Sequence, residues 1–250
     1  MTPTLHDTLT LGITLAFCVV HVFIRRLNFL DRTPRSRWLS FAGGVAVAYV
    51  FIHILPELGA HANALREATA MGDKLAEIAA YGVGLAGLSL FYGIERIVVA
   101  SKGEGDADET RADRELFWLH LVANSVLAAT ITYLLARRVD DEALAVVIYG
   151  IAVVLHFLSA DFGSHKHHPK LYDRGGRWVL SAATLAGWGA ALAVDLPEVW
   201  VGGLIAFVGG GIILVTLKEE LPAQRESRFL PFLFGAVLYT ALIAAQKVLA

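Results

Sequence analysis

Histidine, asparagine and carboxylate side chains recur within segments that are otherwise almost wholly apolar. His120 and Asn124 lie four residues apart in one such segment, and His156 and Asp161 lie five apart in a later one. Imidazole nitrogen and amide or carboxylate oxygen are donors that bind zinc and other divalent cations. Cys18 is the only cysteine of the chain, so neither a thiolate cluster nor a disulfide framework is available. The pattern predicts a cation site built from nitrogen and oxygen donors.

Two further polar groups stand at the ends of apolar segments. His53 and Glu57 share a helical face, and Pro56 between them removes an amide and so frees a carbonyl. Glu219 and Pro222 repeat the combination of acid and proline in a later segment. We interpret the two ends as an entrance and an exit for a cation. A solvated helix end, stopped by proline, explains each of them as well.

Three histidines follow the segment that contains His156, namely His165, His167 and His168. We expect them in a cytoplasmic loop. A tract rich in histidine is typical of a transient metal-binding surface, whereas basic residues beside a membrane also obey the positive-inside rule or contact anionic lipid.

The elements that must position these side chains are membrane-spanning helices. Of the 250 residues, 56% are hydrophobic and 18% charged, which is too apolar for a water-soluble domain of this size. A spanning helix needs about 20 mainly apolar residues, so a chain of this length has room for about eight. We predict a single all-α transmembrane domain over residues 1–250, a polytopic bundle of eight spans, with seven as the alternative. The predicted spans are 9–24, 38–55, 78–100, 116–136, 143–160, 178–194, 199–217 and 229–248.

The distribution of lysine and arginine predicts the orientation. With eight spans, 16 of the 21 Lys and Arg residues fall on one side of the membrane, and the side richer in these residues stays in the cytoplasm. We therefore expect both termini outside, in the plasma (inner) membrane of a bacterium. The charged residues 101–113 are predicted to form a flexible cytoplasmic linker between the third and fourth helices. A net charge of -2 argues against a nucleic-acid partner.

The second predicted helix reads GGVAVAYVFIHILPEL and the seventh reads AFVGGGIILVTLKEELP. They resemble the second and seventh helices of the ZIP family of zinc and iron transporters, which end in His-Leu-Leu-Pro-Glu and Glu-Leu-Leu-Pro-Glu. His53, Pro56 and Glu57 match the first ending, and Glu219 matches the second, whose last acid is replaced by Ala223. The resemblance implies a ZIP-like fold of eight spans, with outside termini and a charged cytoplasmic loop after the third span.

The transport site of the ZIP family is a two-metal centre, formed by His-Asn-x-x-Glu-Gly on the fourth helix and His-Glu-x-Pro-x-Glu on the fifth. On the fourth helix of this chain only Asn124 matches, and on the fifth His156 matches while Asp161 stands in for an acid. The resemblance therefore implies one metal at most, with His120, one turn before Asn124, as a replacement ligand.

These patterns predict a membrane transporter, or transporter-like protein, for a divalent cation such as zinc, working by alternating access. The expected partners are the cation, which is the substrate, and the lipid bilayer; no organic cofactor and no enzymatic activity are expected, and a homodimer is left open. Two alternatives also remain. One is an intramembrane zinc-dependent hydrolase, which needs about three protein ligands and an open position for water. The other is a degenerate ZIP-like fold with a binding or regulatory role.

Overall fold

The computed structural model describes residues 3–26, 37–69, 71–101, 111–137, 142–220 and 228–249. Nearly all of them are helical, and the described residues contain no strand, as the all-α prediction requires. The α-helices are α1 (Pro3–Phe23), α2 (Arg37–Tyr49), α3 (Leu55–Thr69), α4 (Asp73–Ser101), α5 (Arg111–Arg137), α6 (Ala143–His167), α7 (Pro169–Leu171), α8 (Arg177–Ala193), α9 (Glu198–Glu220) and α10 (Phe229–Leu249). A 3-10 helix covers Ile24–Arg26, and π-helices cover Val50–Ile54 and Tyr172–Gly176.

The described helices are those of an integral membrane protein. Within the described ranges, 5 helical segments are long and apolar enough to cross a bilayer, and Glu198–Leu214 and Phe229–Ala245 are shorter apolar helices. The 5 segments are Thr4–Arg26, Arg37–Thr69, Asp73–Ile94, Phe117–Arg137 and Ala143–Lys166. Many large apolar side chains point outward, among them Ile78 and Trp200, as a lipid environment favours.

Each predicted span lies on one of the long helices, but the helix of the second span does not end at residue 55. α2, the π-helix Val50–Ile54 and α3 form one continuous helix that passes through Pro56. Proline cannot donate the usual amide hydrogen bond. Just before it, the amide of Leu55 donates to the carbonyl of Val50, five residues back, and this wider turn accommodates the missing bond. Proline therefore widens the helix here instead of stopping it.

Two other predicted boundaries also differ from the structure. α6 continues past residue 160 to His167, so His165 and His167 belong to a helix and not to a loop; His168, just before Pro169, is the residue that ends it. The residue before a proline disfavours helical backbone, which explains the end. Of the predicted linker 101–113, residues 102–110 lie outside the described residues, and its flanks are the end of α4 and the start of α5.

Contacts among α1, α5, α6 and α8 show the relative directions of these helices. Phe17 packs against Phe157 with 5.2 Å between ring centroids, and one turn later His21 lies beside Asp161, so α1 and α6 are parallel. The start of α1 is hydrogen-bonded to the end of α5, so these two are antiparallel. By the same criterion α8 is antiparallel to α1 and parallel to α5. We call these four helices the polar half of the bundle.

The remaining long helices, α2–α3, α4, α9 and α10, form what we call the glycine half. Ser40 lies beside Arg228 and Tyr49 beside Tyr239, so α2 and α10 are parallel. By the same criterion α9 is parallel to α4 and antiparallel to α3. The short connection 194–197 joins the end of α8 to the start of α9 and cannot cross a membrane about 30 Å thick. With α2–α3 taken as one, the long helices thus alternate in direction along the described chain.

Glycines let the helices of the glycine half approach at backbone distance. A methyl group added at Gly87 would overlap the carbonyl of Phe207, and one added at Gly210 would overlap the carbonyl of Gly84. Gly44 and Gly235 play the same part between α2 and α10. In lipid, where close packing drives helix association, such contacts hold a bundle together.

Candidate cation site

A small cavity lies in the polar half, where α1, α5, α6 and α8 meet. Its volume is about 20 Å³, which is room for about one water molecule or one ion without its water shell. Apolar side chains form much of its wall, and its polar lining residues are His21, Asn124, His156, Asp161 and Ser164. Three of the four residues predicted to bind a cation therefore line one cavity.

α5 contributes Asn124 to the cavity. The Asn124 side-chain nitrogen donates to the carbonyl of His120 over 2.9 Å, which leaves the amide oxygen as the atom available to a cation. His120 itself is half-buried, and its side chain is not part of the cavity lining. The replacement-ligand role predicted for His120 remains a prediction.

α6 contributes His156 and Asp161, and each of these polar residues is only 4% exposed. The sequence predicts that this span ends at residue 160, because a carboxylate interrupts the hydropathy of an apolar segment. The helix continues because Asp161 is paired inside the bundle, and a buried charge is tolerated in a membrane when it has a partner.

The partner of Asp161 is His21 of α1, which sequence reasoning had missed. His21 is fully buried, and its Nδ1 lies 2.6 Å from Oδ2 of Asp161 while its Nε2 lies 3.2 Å from Oγ1 of Thr184. If Nδ1–H donates to the carboxylate, Nε2 accepts from the Thr184 hydroxyl, and all three groups are satisfied. The contact with His21 uses one of the two carboxylate oxygens of Asp161.

A periodic signal for His21 was present in the sequence. Buried residues of α1 follow helical spacing along one face: His6, Thr10, Thr14, Phe17 and His21. A polar stripe of this kind in a membrane helix faces protein and not lipid. It identifies a buried polar face, but the partner on α6 is 140 residues away in sequence and cannot be read from that face.

Tyr172 lies in the connection between α6 and α8 and stabilises the hydrogen-bond network of His21, Asp161 and Thr184 near the C-terminal end of α6. Its hydroxyl donates to the carbonyl of His21 over 3.1 Å. Burial, together with the nearby Asp161 carboxylate, raises the pKa of Tyr172 above its usual value, so the phenol stays protonated and remains a donor.

The predicted entrance lies on the helix that contains the π-turn. His53 belongs to the π-helix itself and is half-buried, with its ring stacked at 5.5 Å on Tyr49 and 6.2 Å from Tyr149 of α6. Glu57 is half-buried one turn later. Tyr149 precedes His156 by seven residues. His53, which lies beside Tyr149, is therefore about 10 Å from His156 along the axis of α6.

The predicted exit lies partly outside what the structure describes. Glu219 is in the last turn of α9, and the structure describes no position for its side chain; Pro222 lies outside the described residues. Of the three terminal histidines of the fifth span, His165 is 3.6 Å from Asp173, and the ring of His168 lies 5.4 Å from that of Phe117.

A cluster of three strong metal donors is not found among the described residues, where no group of three His, Cys, Asp or Glu side chains could hold an ion. The cavity instead combines one imidazole, one carboxylate and one amide, beside the His21 imidazole that already binds Asp161. Apart from His21, only His156 and Asp161 are of the residue types that usually bind catalytic zinc, whereas an intramembrane hydrolase needs about three such ligands and an open position for water.

Comparison with known proteins finds one informative similarity. The chain is 26% identical over 212 residues to zinc transporter ZIP13 of Pongo abelii, an alignment that covers 82% of this chain and 56% of the relative. The chain thus spans little more than half the length of the curated relative that it matches. That relative is named as a transporter and not as an enzyme, in agreement with the prediction for this chain. No family model matches the chain, and no solved structure matches it.

Proposed function

We propose that this protein is a transporter, or a transporter-like protein, for a divalent cation, with zinc as the first candidate. The observation that carries the proposal is the shared cavity of Asn124, His156 and Asp161, the residues that match or replace ligands in the ZIP motifs. Imidazole nitrogen with amide and carboxylate oxygen is a donor set that zinc accepts. The similarity to a zinc transporter over 82% of the chain supports the same reading.

The proposed topology has eight spans and places both termini outside. It is supported by the alternating directions of the helices, and α8, with 17 residues, has the minimum length of a span, about 17–25 residues. We call the end at which α2, α5, α8 and α10 begin the basic end, because the connections at this end hold 16 of the 21 Lys and Arg residues. The positive-inside rule puts this end in the cytoplasm, here that of a bacterial inner membrane.

The proposed pathway starts at His53 and Glu57, passes the central cavity and leaves past Glu219. Since the cavity has a volume of about 20 Å³, a cation enters it without its water shell, and helices must move to release it. His21 has a positioning role in this scheme. By holding one oxygen of Asp161, it fixes the orientation of the carboxylate beside the cavity, as residues behind metal ligands commonly do.

A second candidate function is metal binding or regulation by the same fold without transport. It is favoured by the small number of strong donors: the described residues place no third His, Cys, Asp or Glu with His156 and Asp161 in a group able to hold an ion. A site with one imidazole, one carboxylate and one amide binds a cation more weakly than a family centre with two metals.

Zinc binding and zinc flux, measured on the same purified protein, test both candidates. We expect about one zinc per chain, and binding at least about tenfold weaker in His156→Ala, which loses an imidazole donor. His6→Ala is the matched control, because His6 is a buried histidine of the polar half that bonds to Ala136 away from the cavity. Binding should weaken toward lower pH, because protons compete with the cation for the imidazole nitrogen.

The outcomes separate the candidates. Zinc uptake into liposomes by the parent, with little uptake by His156→Ala, supports transport. Bound zinc without uptake supports the binding or regulatory role. A parent protein that holds no zinc and no other divalent cation rejects both, and equal zinc in His156→Ala and the parent rejects the cavity as the site.

A further inference from the structure

A groove opens at the basic end of the glycine half, between the first turns of α2 and α10. It has a volume of about 930 Å³, which is the size of a site for a ligand with long apolar groups. Its walls are the side chains of Trp38, Phe41, Phe229, Leu230, Pro231 and Phe234, and Arg37 and Arg228 complete the lining. The groove lies on the other half of the bundle from the cation cavity.

The walls of the groove are open to the surroundings of the protein. Trp38 and Phe229 are each 68% exposed and Leu230 is 74% exposed. On a membrane helix such apolar surface contacts acyl chains, and tryptophan favours the level of the lipid headgroups. Whatever occupies this groove is therefore apolar over most of its length.

The two arginines give one end of the groove a positive charge. Arg37 is the first residue of α2 and Arg228 directly precedes α10. The first turns of the two helices are joined, because the amide of Arg228 donates to Oγ of Ser40 over 3.1 Å. A guanidinium binds phosphate oxygens in pairs, and the aligned amides at the start of both helices favour an anion at the same place.

We propose that this groove binds an anionic phospholipid, with the phosphate at Arg37 and Arg228 and the acyl chains along Trp38, Phe229 and Phe234. The charge at one end and the apolar walls beyond it match the two parts of such a lipid. A second copy of this chain is a poorer occupant. In a twofold interface built on the groove, the same arginines would face each other, and like charges would repel.

Lipid binding to the purified protein in detergent tests the proposal, with phosphatidylglycerol and phosphatidylcholine of equal chain length as probes. We expect phosphatidylglycerol to be retained in native mass spectrometry and to raise Tm more than phosphatidylcholine does. Replacing Arg37 and Arg228 together by glutamine should lower phosphatidylglycerol affinity by about fivefold for each arginine. Trp38→Ala should weaken the retention of both lipids and leave the preference between them unchanged.

A matched control removes two charges from the same end of the protein outside the groove. Lys170 and Arg174 are both exposed and do not line it, so replacing them by glutamine should leave the lipid preference intact. The proposal would be overturned if phosphatidylglycerol affinity fell equally in this control, or if the parent bound both lipids with equal affinity. Protection by inorganic phosphate as strong as that by phosphatidylglycerol would overturn the part played by the acyl chains. A dimer that separates in the arginine variant, with lipid binding unchanged, would identify a second copy as the occupant instead.

Discussion

The two halves of the bundle differ in the polar contacts between their helices. In the polar half, hydrogen bonds join side chains of distant helices, as between His21, Asp161 and Thr184. In the glycine half, backbones meet directly at positions such as Gly87 and Gly210. Backbones also meet in the polar half, where a methyl group added at Gly187 of α8 would overlap the carbonyl of Ala129 of α5, but neither residue lines the small polar cavity. The candidate cation cavity therefore lies in the half whose helices are joined by side-chain hydrogen bonds, and not at the close backbone contacts of the glycine half.

The largest loss of stability is expected from a substitution that disrupts the packing of the glycine half. Gly87→Ala should destabilise the protein by at least about 3 kcal/mol, because its methyl group would overlap the carbonyl of Phe207. Gly82→Ala on the same helix is the control, since nothing lies within 4 Å of a methyl group at that position. Gly82→Ala should be neutral or stabilise by up to about 1 kcal/mol through helix propensity. Thermal unfolding in detergent measures both, and similar Tm values for the two variants would contradict the role given to Gly87.

The second prediction concerns the pair at the centre of the polar half. Asp161→Ala leaves the His21 imidazole buried without its acceptor, and removing one partner of such a pair costs about 3 kcal/mol or more. His21→Ala and Asp161→Ala combined should cost less than the sum of the single changes, because they remove the same interaction. Tm values of the parent, the two single variants and the double variant give the coupling, and strict additivity would mean that the pair does not act as a unit.

A smaller loss of stability is expected at Tyr172, which lies at the edge of the hydrogen-bond network of His21 and Asp161. Tyr172→Phe removes a hydroxyl that donates to the carbonyl of His21 and should cost about 1 kcal/mol. If the hydroxyl also helps to hold the network in place, zinc affinity should fall in Tyr172→Phe although the substituted residue does not line the cavity. A fall in Tm with unchanged zinc affinity would limit Tyr172 to a structural role.

The smallest effect is expected at the surface of the polar half. Arg137 and Asp195 form an ion pair, but the Asp195 side chain is 79% exposed. Exposed pairs contribute less than about 1 kcal/mol, because water and salt screen them. Asp195→Asn should therefore shift Tm by only a small amount, and less at high salt. A decrease in Tm as large as that of Asp161→Ala would mean that burial does not determine which polar contacts contribute most to stability.

The helical architecture was predictable because lipid imposes a length and an apolar composition on each spanning segment. Every predicted span coincides with a helical segment, and the errors are at polar residues that hydropathy treats as ends. The span predicted to stop at residue 160 continues because Asp161 is paired with His21, and the span predicted to stop at residue 55 continues because a π-turn accommodates Pro56.

The candidate cation site was predictable only in part. Asn124, His156 and Asp161 were found from their residue types and from the family motifs, and all three line it. His21 was missed because the lateral order of helices in a bundle sets its contact with Asp161, and spacing along the chain does not contain that order. The same reason applies to the groove at Arg37 and Arg228, whose helices are the second and the last of the predicted spans.

The π-helix Val50–Ile54 has a consequence for insertions and deletions. A π-turn holds one residue more than an α-helix needs between the same two points. Deleting one residue from it would leave a regular helix, but everything beyond would rotate by about 100° and shift by about 1.5 Å along the axis. His61, which packs against Gly202, would leave its place, and the ring of Pro56 would meet a carbonyl one turn back. The extra residue therefore both accommodates Pro56 and sets the rotation of α3, so its deletion should destabilise the protein even when Pro56 is replaced as well.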